Sequence, residues 1–180
     1  MKQRASVLAL TVLVAFSLCA QEQDKSKRPS PPGTAEVTFS DGKKVTIDYS
    51  RPSAKGRKIV GGLVPYDKVW RTGANEATSL KTDVDLDIGG TAVSAGSYTL
   101  YTLPSQNSWK LIINKQTGQW GTVYDEAQDL ARVDMKTTTL SQPVEQFTIS
   151  LDKQGGDSAQ LKLQWEKTQA AVEIKENRPQ

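Results

Sequence analysis

The run "KVWRTGANEATSL", residues 68–80, sets Trp70, Arg71, Asn75, Glu76 and Thr78 close together. An arginine fork binds planar oxyanions through paired donors, and an indole stacks on sugar rings or other flat groups. Upstream, Tyr49, Arg51, Lys55, Arg57, Lys58, Tyr66 and Lys68 extend the same mixture of cations and aromatics. Arg51, Arg57, Tyr66, Trp70, Arg71, Asn75 and Glu76 are therefore the candidate ligand-binding residues. In this reading the arginines take acidic or hydroxyl oxygens, Trp70 and Tyr66 offer stacking surface, and Asn75 and Glu76 orient the ligand. A structural reading stands beside it. A long segment with glycines and prolines must satisfy its own backbone, and Asn75, Thr72, Thr78 and an Arg71–Glu76 ion pair would do so. Embedded Ile59, Val60, Leu63, Val64 and Trp70 argue against disorder, and loops held on rigid scaffolds often carry sites.

What is missing narrows the chemistry further. The chain has no histidine and one cysteine, Cys19. Composition thus excludes a Ser-His-Asp triad, a Cys-His pair and histidine-ligated zinc. A carboxylate pair, a Ser-Lys arrangement, a perturbed tyrosine or lysine, or an oxygen-ligand metal remain. In "DVDLDIGG", Asp83, Asp85 and Asp87 alternate before Gly89, but the spacing departs from an EF-hand loop, and Val84, Leu86 and Ile88 between them read as the buried face of a strand. No metal and no cofactor is expected. Glu76 would need a second acid for glycoside hydrolysis, and Asp48 or Glu145 would serve only if the fold brought them close.

These residues need a scaffold, and the apolar pattern supplies one with a period of two. Val37 and Phe39 alternate, Asp41 and Gly42 offer a turn, and Val45, Ile47 and Tyr49 resume, which predicts a hairpin. Val84, Leu86 and Ile88 precede a Gly89-Gly90 turn. Tyr98, Leu100 and Leu103 run to a turn at 104–108, and Trp109, Leu111 and Ile113 return. The last third, through "RVDMKTTTL" and "EQFTISLDKQGGDSAQLKLQWEKTQAAVEIK", reads as four more strands. Trp109 and Trp165 lie in alternating runs and are expected in the core. Only "VYDEAQDLARV" looks helical, with Val123, Ala127, Leu130 and Ala131 at helical spacing. The expectation is an all-β antiparallel sandwich of about eight to ten strands with one short helix.

Residues 1–20 read as a secretory signal peptide: Lys2 and Arg4 precede an apolar run from Ala5 to Leu18, which ends in small residues. The run is too short for a transmembrane helix, and no transmembrane segment is expected once the leader is removed. Cys19 offers the rival of a lipid anchor, disfavoured by Leu18 before it. Residues 21–34, charged and then proline-rich, read as a disordered tether. The domain is expected over 35–175, with a tail at 176–180. Loss of Lys2 and Arg4 lowers the formal net charge from +3 to +1. Basic and acidic residues are interspersed, so nucleic acid is not an expected partner. The expected location is the periplasm or the cell exterior.

The stretch "YSRPSAKGRKIVGGLVPYDKVWRTGANEAT", followed by "AGSYTLYTLP", Trp109, "IIN" at 112–114, "GQWG" and "EQFTI", resembles the bacterial domain of unknown function 2911 family. The resemblance covers about residues 35 to 175 and implies an exported protein, with no catalytic residues to carry over. From the residues themselves the leading expectation is non-catalytic binding of a small or polymeric ligand, anionic or carbohydrate-like, through residues 51–78. The alternative is a hydrolase or lyase acting on carbohydrate or peptide, with Glu76 as acid or base tuned by Arg71. A third reading makes the loop a docking surface for an envelope protein partner.

Overall fold

A computed structural model describes residues 24–177. The stretch read as a signal peptide, Cys19 and the residues beyond Asn177 lie outside them. Among the described residues nine strands form one antiparallel sheet: β1 (Pro32–Thr38), β2 (Lys44–Ser50), β3 (Ser79–Thr82), β4 (Leu86–Ile88), β5 (Thr91–Val93), β6 (Gly96–Pro104), β7 (Trp109–Asn114), β8 (Asp129–Gly155) and β9 (Ser158–Glu176). Their order is β1-β2-β3-β6-β7-β8-β9-β4-β5, and the sheet is not closed.

The three hairpins predicted from alternation are present: β1–β2, β4–β5 and β6–β7. Val37, Val45, Ile47, Leu86, Ile88, Leu100, Leu111 and Ile113 are buried in one cluster, as the period of two requires. Asp85 and Asp87 cap turns, accepting from the amides of Ala95 and Gly90 (2.7 Å each), instead of converging on a cation.

The C-terminal third departs from expectation. Two long strands replace the four expected, and β8 joins both halves of the sheet. Its first residues pair with β7, and from Lys136 onward it pairs with β9. Register shifts between Thr139 and Thr148, facing Glu166 at φ 51°, mark the irregularity where the pair changes halves. The sheet folds over on itself there: the Tyr49 hydroxyl on β2 receives the Ile149 amide (2.9 Å) on β8, and Lys153 Nζ reaches the Thr38 carbonyl (3.0 Å). The apolar faces of both halves thus share one core, which is the sandwich-like arrangement expected.

The expected helix at 123–131 is a single 3-10 turn, Glu126–Gln128, capped by the Asp125 carboxylate on the Ala127 amide (3.0 Å). A segment this short cannot offset the cost of helix nucleation, and Ala131 instead pairs with Ile113 on β7. At the other end, Lys25–Lys27 forms a 3-10 turn, and β1 begins at Pro32, within the stretch read as tether. Within it Lys25 and Arg28 reach Glu76, and the Ser30 carbonyl accepts from the Asn75 side-chain amide.

Central strands β6 and β7 are covered on both faces. Tyr101 and Ile112, which pair in register, point away from the main core yet are 1 % and 0 % exposed. Two irregular segments cover them, 51–78 and 115–128. The first is stitched down by bridges at Ser53↔Gln146, Trp70↔Thr102 and Glu76↔Trp120. It also holds Lys55, Asp67, Thr72 and Asn75 at positive φ, with Glu166 the one other non-glycine so placed among the described residues. Backbone held in this region collects where a structure fixes a site.

Candidate functional site

The cover over β6 and β7 leaves a cleft of about 520 Å³. Trp70 and Arg71 come from the first segment, Tyr124 from the second, Tyr101 from β6, Trp165 from β9, and Arg57 stands at the rim. Among the described residues no aspartate or glutamate lines it. Two cations beside four aromatic rings make the cleft electropositive and partly apolar.

Each cation is seated by backbone. Arg57 donates from Nε to the Ala54 carbonyl (3.0 Å) and from Nη2 to the Ser53 carbonyl (2.7 Å). Arg71 donates from Nε to the Gly73 carbonyl (3.2 Å), and among the described residues its terminal nitrogens have no hydrogen-bond partner. Gly121 allows the close approach of the two covering segments. Its amide donates to the Asn75 carbonyl (2.9 Å), and a β-carbon there would stand 2.9 Å from that same oxygen and 3.0 Å from Arg71 Cδ. At Gly73, φ 152°, a β-carbon would likewise stand 3.0 Å from both the Ser50 carbonyl oxygen and the Thr78 hydroxyl. The turn between them is held by buried Thr72, whose hydroxyl lies 3.1 Å from that of Thr102, and by Thr78, which donates to the Thr72 carbonyl (2.7 Å).

Aromatic rings form the floor. Trp70 stacks on Trp165 (5.7 Å, 20°) and meets Phe147 (5.0 Å) and Trp109 (6.5 Å) edge to face. Much of its surface is thus spent on packing, so it serves as anchor more than as stacking platform. Tyr101 and Tyr124 meet at 4.9 Å. The Tyr101 hydroxyl donates to the Val123 carbonyl (2.6 Å), and the Tyr124 hydroxyl donates to Asp129 (2.6 Å) while accepting from Arg132 (2.9 Å). Burial raises Tyr101, and burial followed by the hydrogen bond to Asp129 pushes Tyr124 up to about 12. Both phenols are neutral at ordinary pH with their protons engaged, which suits shape and dipole recognition better than proton transfer.

The seven candidate residues separate into two groups. Arg57, Trp70 and Arg71 line the cleft; Arg51, Tyr66, Asn75 and Glu76 do not. Arg51 turns toward Thr148 (3.4 Å), and its Nε is buried without a partner among the described residues. Tyr66 faces another hollow, beside Trp109, Gln106 and Thr168. Asn75 donates to the Ser30 carbonyl (3.1 Å) and the Ser50 hydroxyl (3.2 Å), so it ties the N-terminal stretch to the fold instead of orienting a ligand.

The Arg71–Glu76 pair is not formed. Glu76 accepts two hydrogen bonds from Arg28 (2.9 and 2.8 Å), and Lys25 approaches at 3.4 Å. The Arg28 hydrogen bonds first, then its own backbone amide, hold the Glu76 carboxyl down at about 2. The partner comes from a stretch read as tether, which is why local spacing suggested Arg71. The proposed second acids are engaged elsewhere: Asp48 accepts from the Thr34 hydroxyl (2.6 Å) and Glu145 from the Lys55 amide (2.8 Å).

Sequence reasoning missed Tyr101, Gly121, Thr122 and Tyr124 as lining residues. A signal was present in "GQWGTVY", residues 118–124, where two glycines and two aromatics interrupt the strand pattern without forming a helix.

Fold and site together define an open antiparallel β-protein whose central strands carry a cationic, aromatic cleft free of carboxylates. The chain belongs to the family described as "Protein of unknown function (DUF2911)", which matches residues 30–174 and so takes in both covering segments. No curated protein and no solved structure matches it.

Proposed function

We propose that the protein is a non-catalytic binding module for a small anionic, carbohydrate-like ligand, seated in the cleft between Arg57 and Arg71. The observation that carries this reading is a lining with two arginines, several aromatic rings and no carboxylate. An anion entering it meets unopposed donors, and its flat or apolar part meets Tyr101 and Tyr124. The volume lies in the range of roughly 300–1,000 Å³ typical of small-molecule sites. The leader read from residues 1–20 would place this binding in the periplasm or outside the cell. An envelope protein carrying such a group is the macromolecular form of the same reading.

Hydrolysis or elimination through Glu76 has less support, because Glu76 is outside the cleft lining and is held by Arg28, and the acids weighed as its partners, Asp48 and Glu145, are engaged with Thr34 and the Lys55 amide. The test is a thermal-shift screen against acidic sugars, cell-wall fragments and neutral sugars. A ligand at a hundredfold excess over its dissociation constant adds about 2.7 kcal/mol, a measurable rise in Tm. The expected result is a rise with acidic compounds that Arg71→Ala abolishes. A rise that Arg71→Ala leaves intact would move the site elsewhere, and no rise with any acidic compound would remove the reading.

A further inference from the structure

The cleft does not end at Arg57. A second basin of about 330 Å³ lies on the other side of that residue and shares Ser30, Pro52 and Arg57 with the first. Its remaining lining is Pro29, Ser53 and Lys55. Among the described residues the Lys55 ammonium has no carboxylate partner; Glu145 takes the Lys55 backbone amide instead. Among the described residues the lining of the second basin holds two cations and, like the first, no carboxylate, but it holds no aromatic ring.

The geometry points to one continuous site for an acidic oligosaccharide, with successive acidic units in the two basins and Lys55 reading the second anion. This rests on the binding function proposed for the first basin. Arg57 lines both basins, and the Ser53 and Ala54 carbonyls fix its guanidinium through Nη2 and Nε, so that Nη1 is the nitrogen left to a ligand spanning the two. The aromatic basin suits a ring face, and the second basin offers the hydroxyls of Ser30 and Ser53 with a point charge. A chain that repeats one ring and one carboxylate satisfies both. Trp120, 48 % exposed and next in the chain to the lining residue Gly121, offers a further flat surface for the same kind of polymer.

The experiment is calorimetric titration of the whole protein with galacturonic acid, its trimer and hexaglutamate, repeated on Lys55→Gln, Lys55→Arg and Arg71→Ala. The trimer is expected to bind the unaltered protein at least about tenfold more tightly than the monomer, the return of one added charge-assisted hydrogen bond. Lys55→Gln should bring the trimer toward the monomer and leave the monomer unchanged, Lys55→Arg should restore the gain, and Arg71→Ala should weaken both. If the trimer binds no better than the monomer, or Lys55→Gln weakens the two equally, the continuous site is wrong while the first basin stands. Hexaglutamate binding as tightly as the trimer would overturn the sugar assignment in favour of an acidic peptide. Absence of binding by every probe would remove the inference together with the function on which it rests.

Discussion

Glu76 and Arg28 stand 48 positions apart in the chain, and their two short hydrogen bonds fasten the N-terminal stretch to the segment that walls the cleft. The Glu76 carboxyl is at about 2 in the fold against an ordinary 4.5. A depressed carboxylate contributes stability that is fully present above the unfolded value and is lost as pH falls through the folded one. The window therefore runs from about pH 4.5 down to about 2. With its side chain 43 % exposed, the pair is screened by solvent and is worth about 1 kcal/mol or less. Glu76→Gln is expected to lower the urea midpoint slightly at pH 7, with the difference from the unaltered protein vanishing as pH approaches 2. Equal midpoints at both pH values would show that the contact adds nothing to stability. This partnership was illegible in the sequence, since nothing in local spacing links residue 28 to residue 76. The cluster of chemistry-bearing types at 68–80 was legible, and Trp70 and Arg71 do line the cleft.

At the scale of elements, four rings from four segments lock the cover to the sheet: Trp70 from the irregular stretch, Trp109 from β7, Phe147 from β8 and Trp165 from β9. Trp109 and Trp165 are 6 % and 4 % exposed, as their alternating runs implied. Trp109→Ala is expected to cost about 3–5 kcal/mol in urea unfolding, the usual range for emptying a buried tryptophan site. Trp120→Ala, at an exposed position, should stay within about 0.5 kcal/mol. A similar loss at both positions would place the cover's anchorage elsewhere. The hairpins could be read because alternation and turn residues agree. The lengths of β8 and β9 could not, because exposed Ser141, Gln142 and Pro143 break the alternation midway in β8, and in β9 the buried positions change parity between Trp165 and Ala170, so each long strand reads as two. The helical reading of 123–131 failed for a related reason: its apolar spacing fits a helix, but the pairing available on β7 extends Asp129 onward as strand.

For the whole molecule, the decisive fact is that β8 runs through both halves of the sheet, pairing with β7 at its start and with β9 beyond. Neither half has a core of its own, since residues such as Val45, Leu111, Ile149 and Ile174 belong to one buried cluster. Unfolding is thus expected to be a single transition, with tryptophan fluorescence and far-ultraviolet circular dichroism tracing the same urea curve. Separated curves would mean that the cover or one half melts alone. Pairings as distant as Tyr49 with Ile149 also predict refolding in the slow range of roughly milliseconds to seconds common to non-local β-proteins.

Where β8 crosses from one half to the other, its backbone would present an open edge, the kind of surface that recruits strands from neighbouring molecules. Residues 52–54 fill that place: the Phe147 amide donates to the Pro52 carbonyl (2.8 Å) and the Ala54 amide to the Glu145 carbonyl (2.8 Å). Pro143 beside them has no amide hydrogen to offer. The same short stretch supplies the carbonyls that seat Arg57. Guarding against edge-to-edge aggregation and holding a cation at the cleft are therefore one task for this backbone, and a change that frees residues 52–54 would threaten solubility along with recognition.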